Sequence, residues 1–510
     1  MAKRSKAAKE IRPKRPPMRG WPGRGRGQAS VVNPASEWRG TTVQVCGLWP
    51  FVVGAGAPMI GVPLGQQENN ERKTVCCDPI SWFQRAQIIN NPSVFVLGRP
   101  GLGKSTCVRR MATGLAGYGT IPLVLGDLKP DYVDMVRALG GQVIELGRNR
   151  GHLNVLDPGE ARDAAARLRA AGHPERAERV EADAASRRLT MVVALVTIQR
   201  ASTPTDREIA ILDRALKYLD ANHDGIPVLP DLLNVIREAP ADVRLVALDR
   251  GSDERYKELT ENLEVTLMGL CGGGLLGDVF AKQTTEPMRR DRAVVFNVSS
   301  IPDGEPELQA AALLACWSTG FGTVEVAHEL AEAGLEPQRH YFVVLDELWR
   351  ALRAGSGMVD RIDALTRLNR QVGVGLAMVS HTMSDLESLP EQADIAKAKG
   401  FVERAGMVIC GGLPRSEMAK LTPVVPMSEA EQERLAQWGD APSWSTDGVN
   451  VEPPGRGKFL IKVGGRPGIP VHVRLTEAEL HIHDTNKRWH QQSRVNVETV
   501  NHEPAKQPAA

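Results

Sequence analysis

The chain has 510 residues, of which 42% are hydrophobic and 24% are charged. This composition is ordinary for a soluble globular protein of about two to four domains and excludes a fibrous or low-complexity chain. Seven cysteines without a C-x-x-C pair are too few for a disulfide framework and indicate a reducing cytoplasm. The basic N-terminus is not followed by an apolar run, so no signal peptide is predicted.

Positive charge is concentrated at the N-terminus. Residues 1–26 carry ten Lys or Arg and one Glu, which leaves 53 basic and 60 acidic residues in the remainder. Residues 1–40 are also rich in Pro and Gly and are predicted to be a disordered arm. We expect this arm to bind DNA or an anionic membrane, with an affinity that falls steeply as salt rises. A solubilising tail without a target is the alternative.

A nucleotide-binding motif follows a predicted strand-rich segment. The apolar run 94–97 predicts a buried strand, and G-x-x-x-x-G-K-[ST] and a helical pattern come directly after it. Glycines let backbone N–H groups close around phosphate oxygens, and the new helix directs its N-terminal dipole at the same anion. Lys104 is expected to contact the β- and γ-phosphates of ATP, and Ser105 to bind Mg²⁺. The predicted nucleotide-binding residues are Gly98, Arg99, Pro100, Gly101, Leu102, Gly103, Lys104, Ser105 and Thr106.

Strands and helices alternate after this motif and then give way to helices. Strands are predicted at 121–125 and 142–146 with a helix between them, which favours a parallel α/β sheet. Residues 157–285 are predicted to be an α-helical insertion, with Thr205 and Glu208 forming a capping box. The expected division is therefore a strand-rich opening and first core part at 41–156, the insertion, and a second core part at 286–488. A disordered tail is expected at 489–510.

The second core part returns to alternating elements. Strands are predicted at 293–298, 341–345, 374–379 and 407–410, with helices near 306–334 and 358–371. Residues 458–463 and 470–475 are predicted to form a hairpin around two glycines. The expected fold class is α/β, a P-loop NTPase of the RecA type with a helical insertion and short C-terminal strands.

Two carboxylates follow the strand 341–345. We expect Asp346 to hold Mg²⁺ and Glu347 to act as the general base on the attacking water. An acidic pair at this place is also typical of a helix N-cap. Ser380 and His381 follow the next strand, where His381 is expected either to sense the γ-phosphate or to lie in a polar loop.

Two arginines, Arg367 and Arg370, precede the strand 374–379. In a ring, either of them could reach the nucleotide of a neighbouring subunit, and Arg370 is the preferred candidate for this role. A solvated helix face is the alternative interpretation.

With these motifs the chain resembles the FtsK–HerA superfamily of P-loop proteins, and within it the TraC-like motor ATPases of conjugation and type IV secretion. The resemblance rests on residues 123–132, 139–144 and 153–158, and on Asp346, Glu347 and Trp349. It covers about residues 45–488. The family usually has glutamine where His381 lies.

The resemblance implies an ATP-hydrolysing, Mg²⁺-dependent motor that assembles as a homo-oligomer, expected to be a hexamer. Such a motor would be cytoplasmic, docked at the inner face of the cell membrane in a transfer complex, and would move DNA or protein. An FtsK- or HerA-like pump for double-stranded DNA is one alternative. A nucleotide-gated scaffold without sustained turnover is the other.

Overall fold

The computed structural model describes residues 58–68, 70–272, 276, 279–353, 359, 373–389, 391–442 and 452–482. The predicted arm, the predicted tail and both arginines proposed to act between subunits lie outside these residues. The predicted helix near 358–371 lies almost entirely outside them as well.

Eleven strands in the described part of the chain form one sheet. They are β1 (Pro63–Gln67), β2 (Asn70–Cys76), β3 (Ser93–Leu97), β4 (Ile121–Asp127), β5 (Gln142–Glu145), β6 (Val294–Asn297), β7 (Tyr341–Leu345), β8 (Val374–Val379), β9 (Met407–Cys410), β10 (Lys458–Lys462) and β11 (Ile469–His472). Their order across the sheet is β2-β1-β11-β10-β9-β3-β8-β7-β4-β6-β5. Pairing is parallel from β9 through β5 and antiparallel from β9 through β2.

Helices cover the sheet and fill one long insertion. Those outside the insertion are α1 (Pro79–Gln84), α2 (Lys104–Gly117), α3 (Val133–Ala138), α10 (Pro306–Glu332), α11 (Leu348–Leu352), α12 (Met383–Glu387), α13 (Gln392–Arg404), α14 (Arg415–Leu421), α15 (Glu429–Trp438) and α16 (Glu477–Ile482). The insertion between β5 and β6 contains α4 (Ala161–Ala170), α5 (Pro174–Arg200), α6 (Asp206–Asn222), α7 (Leu229–Glu238), α8 (Ala241–Ala247) and α9 (Asp253–Cys271).

The central strands are buried on both faces. Every residue of β3, β7 and β8 is buried, as expected for parallel strands covered by helices on both sides. The residues of β3 alternate between the two layers, with Phe95 and Leu97 packed on one side and Val94 and Val96 on the other. The carboxyl ends of these strands therefore meet along one rigid edge, where polar residues begin.

The insertion packs on the core through α5 and α10. Residues 191–198 of α5 are buried, and Thr205 and Glu208 form the predicted capping box at the start of α6. Arg176 of α5 pairs with Glu329 of α10 at 2.7 Å. Helices occupy the segment predicted to be helical, while the division of the chain into domains stays a prediction.

Helix α10 is apolar and long enough to cross a bilayer, but 78% of its most apolar stretch is buried inside the protein. Such burial is typical of a core helix. It packs against β4, where a Cβ on Gly320 would lie 2.4 Å from Leu125. Only a residue without a side chain permits this close approach.

Several predicted elements have different ends in the structure. Strand β4 continues two residues beyond Leu125, because Asp127 pairs with Asn297 of β6. Within the predicted helical insertion, helix α5 runs 27 residues, and its apolar second half is buried. The hairpin of β10 and β11 forms as predicted, with slightly shorter strands.

Candidate active site

The loop between β3 and α2 is shaped by glycine and held by neighbouring strand ends. Gly103 has a left-handed φ of 95°, and a Cβ on Gly98 would lie 3.2 Å from the Cα of Gly411. The N–H of Gly98 donates to the carbonyl of His381 at 2.9 Å, and that of Arg99 to Gly412 at 3.0 Å. The loop therefore sits between the ends of β8 and β9, as a phosphate-binding loop requires.

Lys104 is buried at the start of α2, with 7% of its surface exposed. Its Nζ donates to the carbonyl of Gly98 at 2.7 Å and lies 2.9 Å from Nδ1 of His381. Burial lowers the pKa of Lys104 to about 8, against the attraction of the Asp346 and Glu347 carboxylates. The ammonium group is thus a desolvated cation inside the loop, where its attraction for phosphate is strongest.

The turn after β4 brings a second set of polar groups to the same edge. The buried carboxylate of Asp127 accepts from the N–H groups of Asp131 at 3.1 Å and Tyr132 at 2.8 Å, which folds the turn back on itself. The turn places the Asp131 carboxylate against the hydroxyl of Ser105. Burial raises the pKa of Asp131, and the charge of Arg109, followed by the contact with Ser105, opposes the rise.

Asp346 is the first residue after β7. It accepts the hydroxyl of Tyr132 at 3.0 Å and the N–H of Glu347 at 2.9 Å. Burial, followed by the negative charge of Glu347, raises the pKa of Asp346 to about 6. Its oxygens and the Ser105 hydroxyl are the hard ligands that Mg²⁺ prefers. In the described part of the chain there is no group of three or more His, Cys, Asp or Glu that could hold a metal by itself.

Glu347 has a left-handed backbone, with φ 52°, immediately before α11. A non-glycine residue in this region is strained, and such strain is concentrated at functional sites. Its carboxylate lies 3.1 Å from Nζ of Lys129 and accepts the indole N–H of Trp349 at 2.6 Å. Burial opposes ionisation, but hydrogen bonds from His381 and Trp349 and the charge of Lys129 hold the pKa of Glu347 well below its usual range.

His381 bridges the loop lysine and the acidic pair. Its Nδ1 lies 2.9 Å from Nζ of Lys104, and its Nε2 lies 3.1 Å from Oε2 of Glu347. An ammonium group can only donate, so Nδ1 accepts and the ring proton on Nε2 points at the carboxylate. The sequence placed His381 at the same edge but did not predict this bridge.

The structure brings together the predicted residues Lys104, Ser105, Asp346, Glu347 and His381. Sequence reasoning assigned no role to Lys129, Asp131, Tyr132 or Trp349, although all four contact predicted site residues. Lys129 and Glu347 are 218 positions apart in the chain. No local pattern signals such a pair, because strand order alone makes the two neighbours.

No family model and no curated protein matches this chain in sequence. Its fold is similar to that of VirB4 of Thermoanaerobacter pseudethanolicus, with a TM-score of 0.58 and 17% identity over 84% of this chain and 99% of that one. The plasmid coupling protein TrwB in complex with ADP and Mg²⁺ overlaps more loosely, with a TM-score of 0.45 and 12% identity over 76% of this chain and 86% of TrwB.

The cytoplasmic domain of the type VII secretion ATPase EccC of Thermomonospora curvata matches with a TM-score of 0.31 and 13% identity, over 83% of this chain and 30% of EccC. At 17% identity the likeness to VirB4 is a likeness of fold. The predicted α/β class, with a large and mostly parallel sheet, is confirmed. The chain therefore has the fold of VirB4.

Proposed function

We propose that this chain is an ATP-hydrolysing motor of a conjugative or type IV secretion-like transfer apparatus, which drives the translocation of DNA or protein. The observation that carries the proposal is the link from Lys104 through His381 to Glu347. It places a strained, ionised carboxylate beside the cation of a phosphate-binding loop. The fold shared with VirB4 supports the same proposal.

The residues at this site are of the types that bind the phosphates of ATP and Mg²⁺. Residues 98–106 would hold the phosphates, with Lys104 neutralising charge on the β- and γ-phosphates. Ser105 and Asp346 would hold Mg²⁺, which keeps several waters and needs few protein ligands when phosphates supply the rest. The metal supplies charge neutralisation on the phosphate oxygens.

Glu347 would accept the proton of the attacking water. Its low pKa keeps it ionised near neutral pH, and its contacts with Trp349 and Lys129 fix the direction of the carboxylate. His381 lies between this carboxylate and Lys104, so that a movement of either group would displace the other.

The proposal extends to assembly and location. The subunits would form a homo-oligomer, with a hexamer as the expected form, in which Arg370 or Arg367 completes the site of a neighbour. The assembly would lie in the cytoplasm against the inner face of the membrane, with the basic arm binding DNA or anionic lipid.

Steady-state hydrolysis by the full chain tests the proposal. Lys104→Ala should weaken both ATP binding and turnover, because it removes the cation of the loop. Glu347→Gln keeps the shape of the side chain and should bind ATP while kcat falls about 100-fold or more. Glu387→Gln, in a surface ion pair with Lys399, is the matched control and should keep full activity.

Parental turnover by Glu347→Gln would show that the assigned base is wrong. Only trace hydrolysis by the parental chain, together with tight ATP binding, would favour the nucleotide-gated scaffold.

A further inference from the structure

The positions of the candidate catalytic residues indicate where the γ-phosphate end of a bound nucleotide would lie. Asp346 and Glu347 follow β7, and His381 follows β8, and both strands lie on one side of β3. Because the general base must be close to the γ-phosphate, the triphosphate points toward β7 and β8. The nucleoside then leaves the loop on the opposite side, toward β9, β10 and β11.

On that opposite side, the turn before β10 and the end of β11 form a surface beside the loop, here called the wall. Strand β10 runs antiparallel to β9, so the turn before Lys458 lies at the edge where β9 ends. Lys458 pairs with His472, which puts the end of β11 at the same edge. The N–H of Gly457 donates to the carbonyl of Leu102 at 3.0 Å, so this turn touches the phosphate-binding loop directly.

The chain after β11 continues along the first two turns of α2. The N–H of Val473 donates to the carbonyl of Gly457 at 2.7 Å, and Nε of Arg110 donates to Glu479 at 2.8 Å. Residues 472–479 therefore flank the beginning of α2, beside the place where a nucleoside would leave the loop.

Planar and cationic side chains lie along this wall. Arg456 is exposed and pairs with Glu452 at 3.2 Å. Nε of Arg474 donates to Nδ1 of His472 at 3.4 Å. A Cβ placed on Gly457 would lie 3.5 Å from Cδ2 of the His472 ring. Guanidinium and imidazole planes stack on aromatic bases, and they do so without reading the hydrogen-bonding edge.

We propose that Arg456, His472 and Arg474 form the nucleoside subsite of this protein and hold a purine base by stacking. The proposal rests on the proposed function, because it takes the loop as an ATP site, and it adds the part of the site that the sequence motifs do not locate. Arg456 and Arg474 bind the base in this assignment, and Lys104 binds the phosphates.

Titration calorimetry on the full chain tests the subsite with two probes, Mg²⁺-ADP and Mg²⁺-tripolyphosphate. Arg474→Ala and Arg456→Ala should each weaken ADP binding about tenfold, because a stacking plane is lost. Binding of tripolyphosphate should be unchanged, since it has no base. Arg474→Lys keeps the charge without the plane and should lose nearly as much as Arg474→Ala.

Arg466→Ala is the matched control, because Arg466 is an exposed arginine in the turn of the same hairpin, at the opposite edge of the sheet. It should leave both affinities at the parental value. Equal losses of ADP and tripolyphosphate would overturn the subsite and make these arginines phosphate ligands. Unchanged ADP binding in both alanine variants would place the nucleoside elsewhere. If the parental chain binds neither probe, the proposed function fails and the subsite with it.

Discussion

The site edge and the helical insertion use charged residues in opposite ways. At the edge, Lys104 and Glu347 are each 7% exposed and are linked through one histidine. At the contact between α5 and α10, Arg176 and Glu329 form a partly exposed pair beside an apolar interior.

This difference separates function from stability. A buried charge loses its hydration and depends on its partners, so that removing one partner changes the others. A surface ion pair contributes at most about 1 kcal/mol, since water and salt replace it readily. We therefore expect the edge to govern turnover and the apolar interior of the insertion to govern folding.

The largest effect is expected from a residue outside the described part of the chain. Arg370→Ala should lower kcat about 1,000-fold if this arginine completes a neighbouring site. Mixing Arg370→Ala with Glu347→Gln chains should restore part of the activity, because one interface then combines an intact arginine with an intact glutamate. Activity per subunit should also rise with protein concentration.

Arg367→Ala is the matched variant for this experiment and should keep most of the activity. The reverse result would assign the role to Arg367. No rescue on mixing, with activity independent of concentration, would contradict completion of the site between subunits.

The next largest effect on kcat is expected at the bridge formed by His381. His381→Ala should lower kcat about 100-fold, because Lys104 and Glu347 lose their common partner. His381→Gln should retain more activity, since an amide can accept from the lysine and donate to the carboxylate. Steady-state kinetics measure both variants, with His173→Ala, at the start of α5, as the control.

Wild-type kcat in His381→Ala would show that the bridge has no part in turnover.

The insertion offers a pair of variants with smaller effects on turnover. Leu212 is fully buried in α6, so Leu212→Ala should lower the free energy of unfolding by about 2–5 kcal/mol. Arg176→Ala should lower it by less than about 1 kcal/mol. Urea unfolding followed by circular dichroism measures both, and kcat of the folded protein should stay near the parental value in each.

A loss of stability in Arg176→Ala as large as that in Leu212→Ala would contradict this expectation. The ion pairs, and not the apolar interior, would then hold the insertion to the core.

Local signals in the sequence were sufficient for the central elements. Strands β7, β8 and β9 have the predicted bounds, because each is a short apolar run with a polar or glycine-rich end. The phosphate-binding motif at 98–106 and the capping box at Thr205 and Glu208 could also be predicted from the sequence, since both depend on residues close together in the chain.

Apart from the predicted hairpin of β10 and β11, only the tertiary structure decided which strands are neighbours. Propensity and periodicity do not determine sheet order, and so the pairing of β1 with β11 was not predicted. The same order brings the turn after β4 to β7 and places Lys129 against Glu347. It also sets His381 between Lys104 and Glu347. Sequence alone therefore named candidate groups for the chemistry, whereas their contacts depend on hydrogen bonding between strands far apart in the chain.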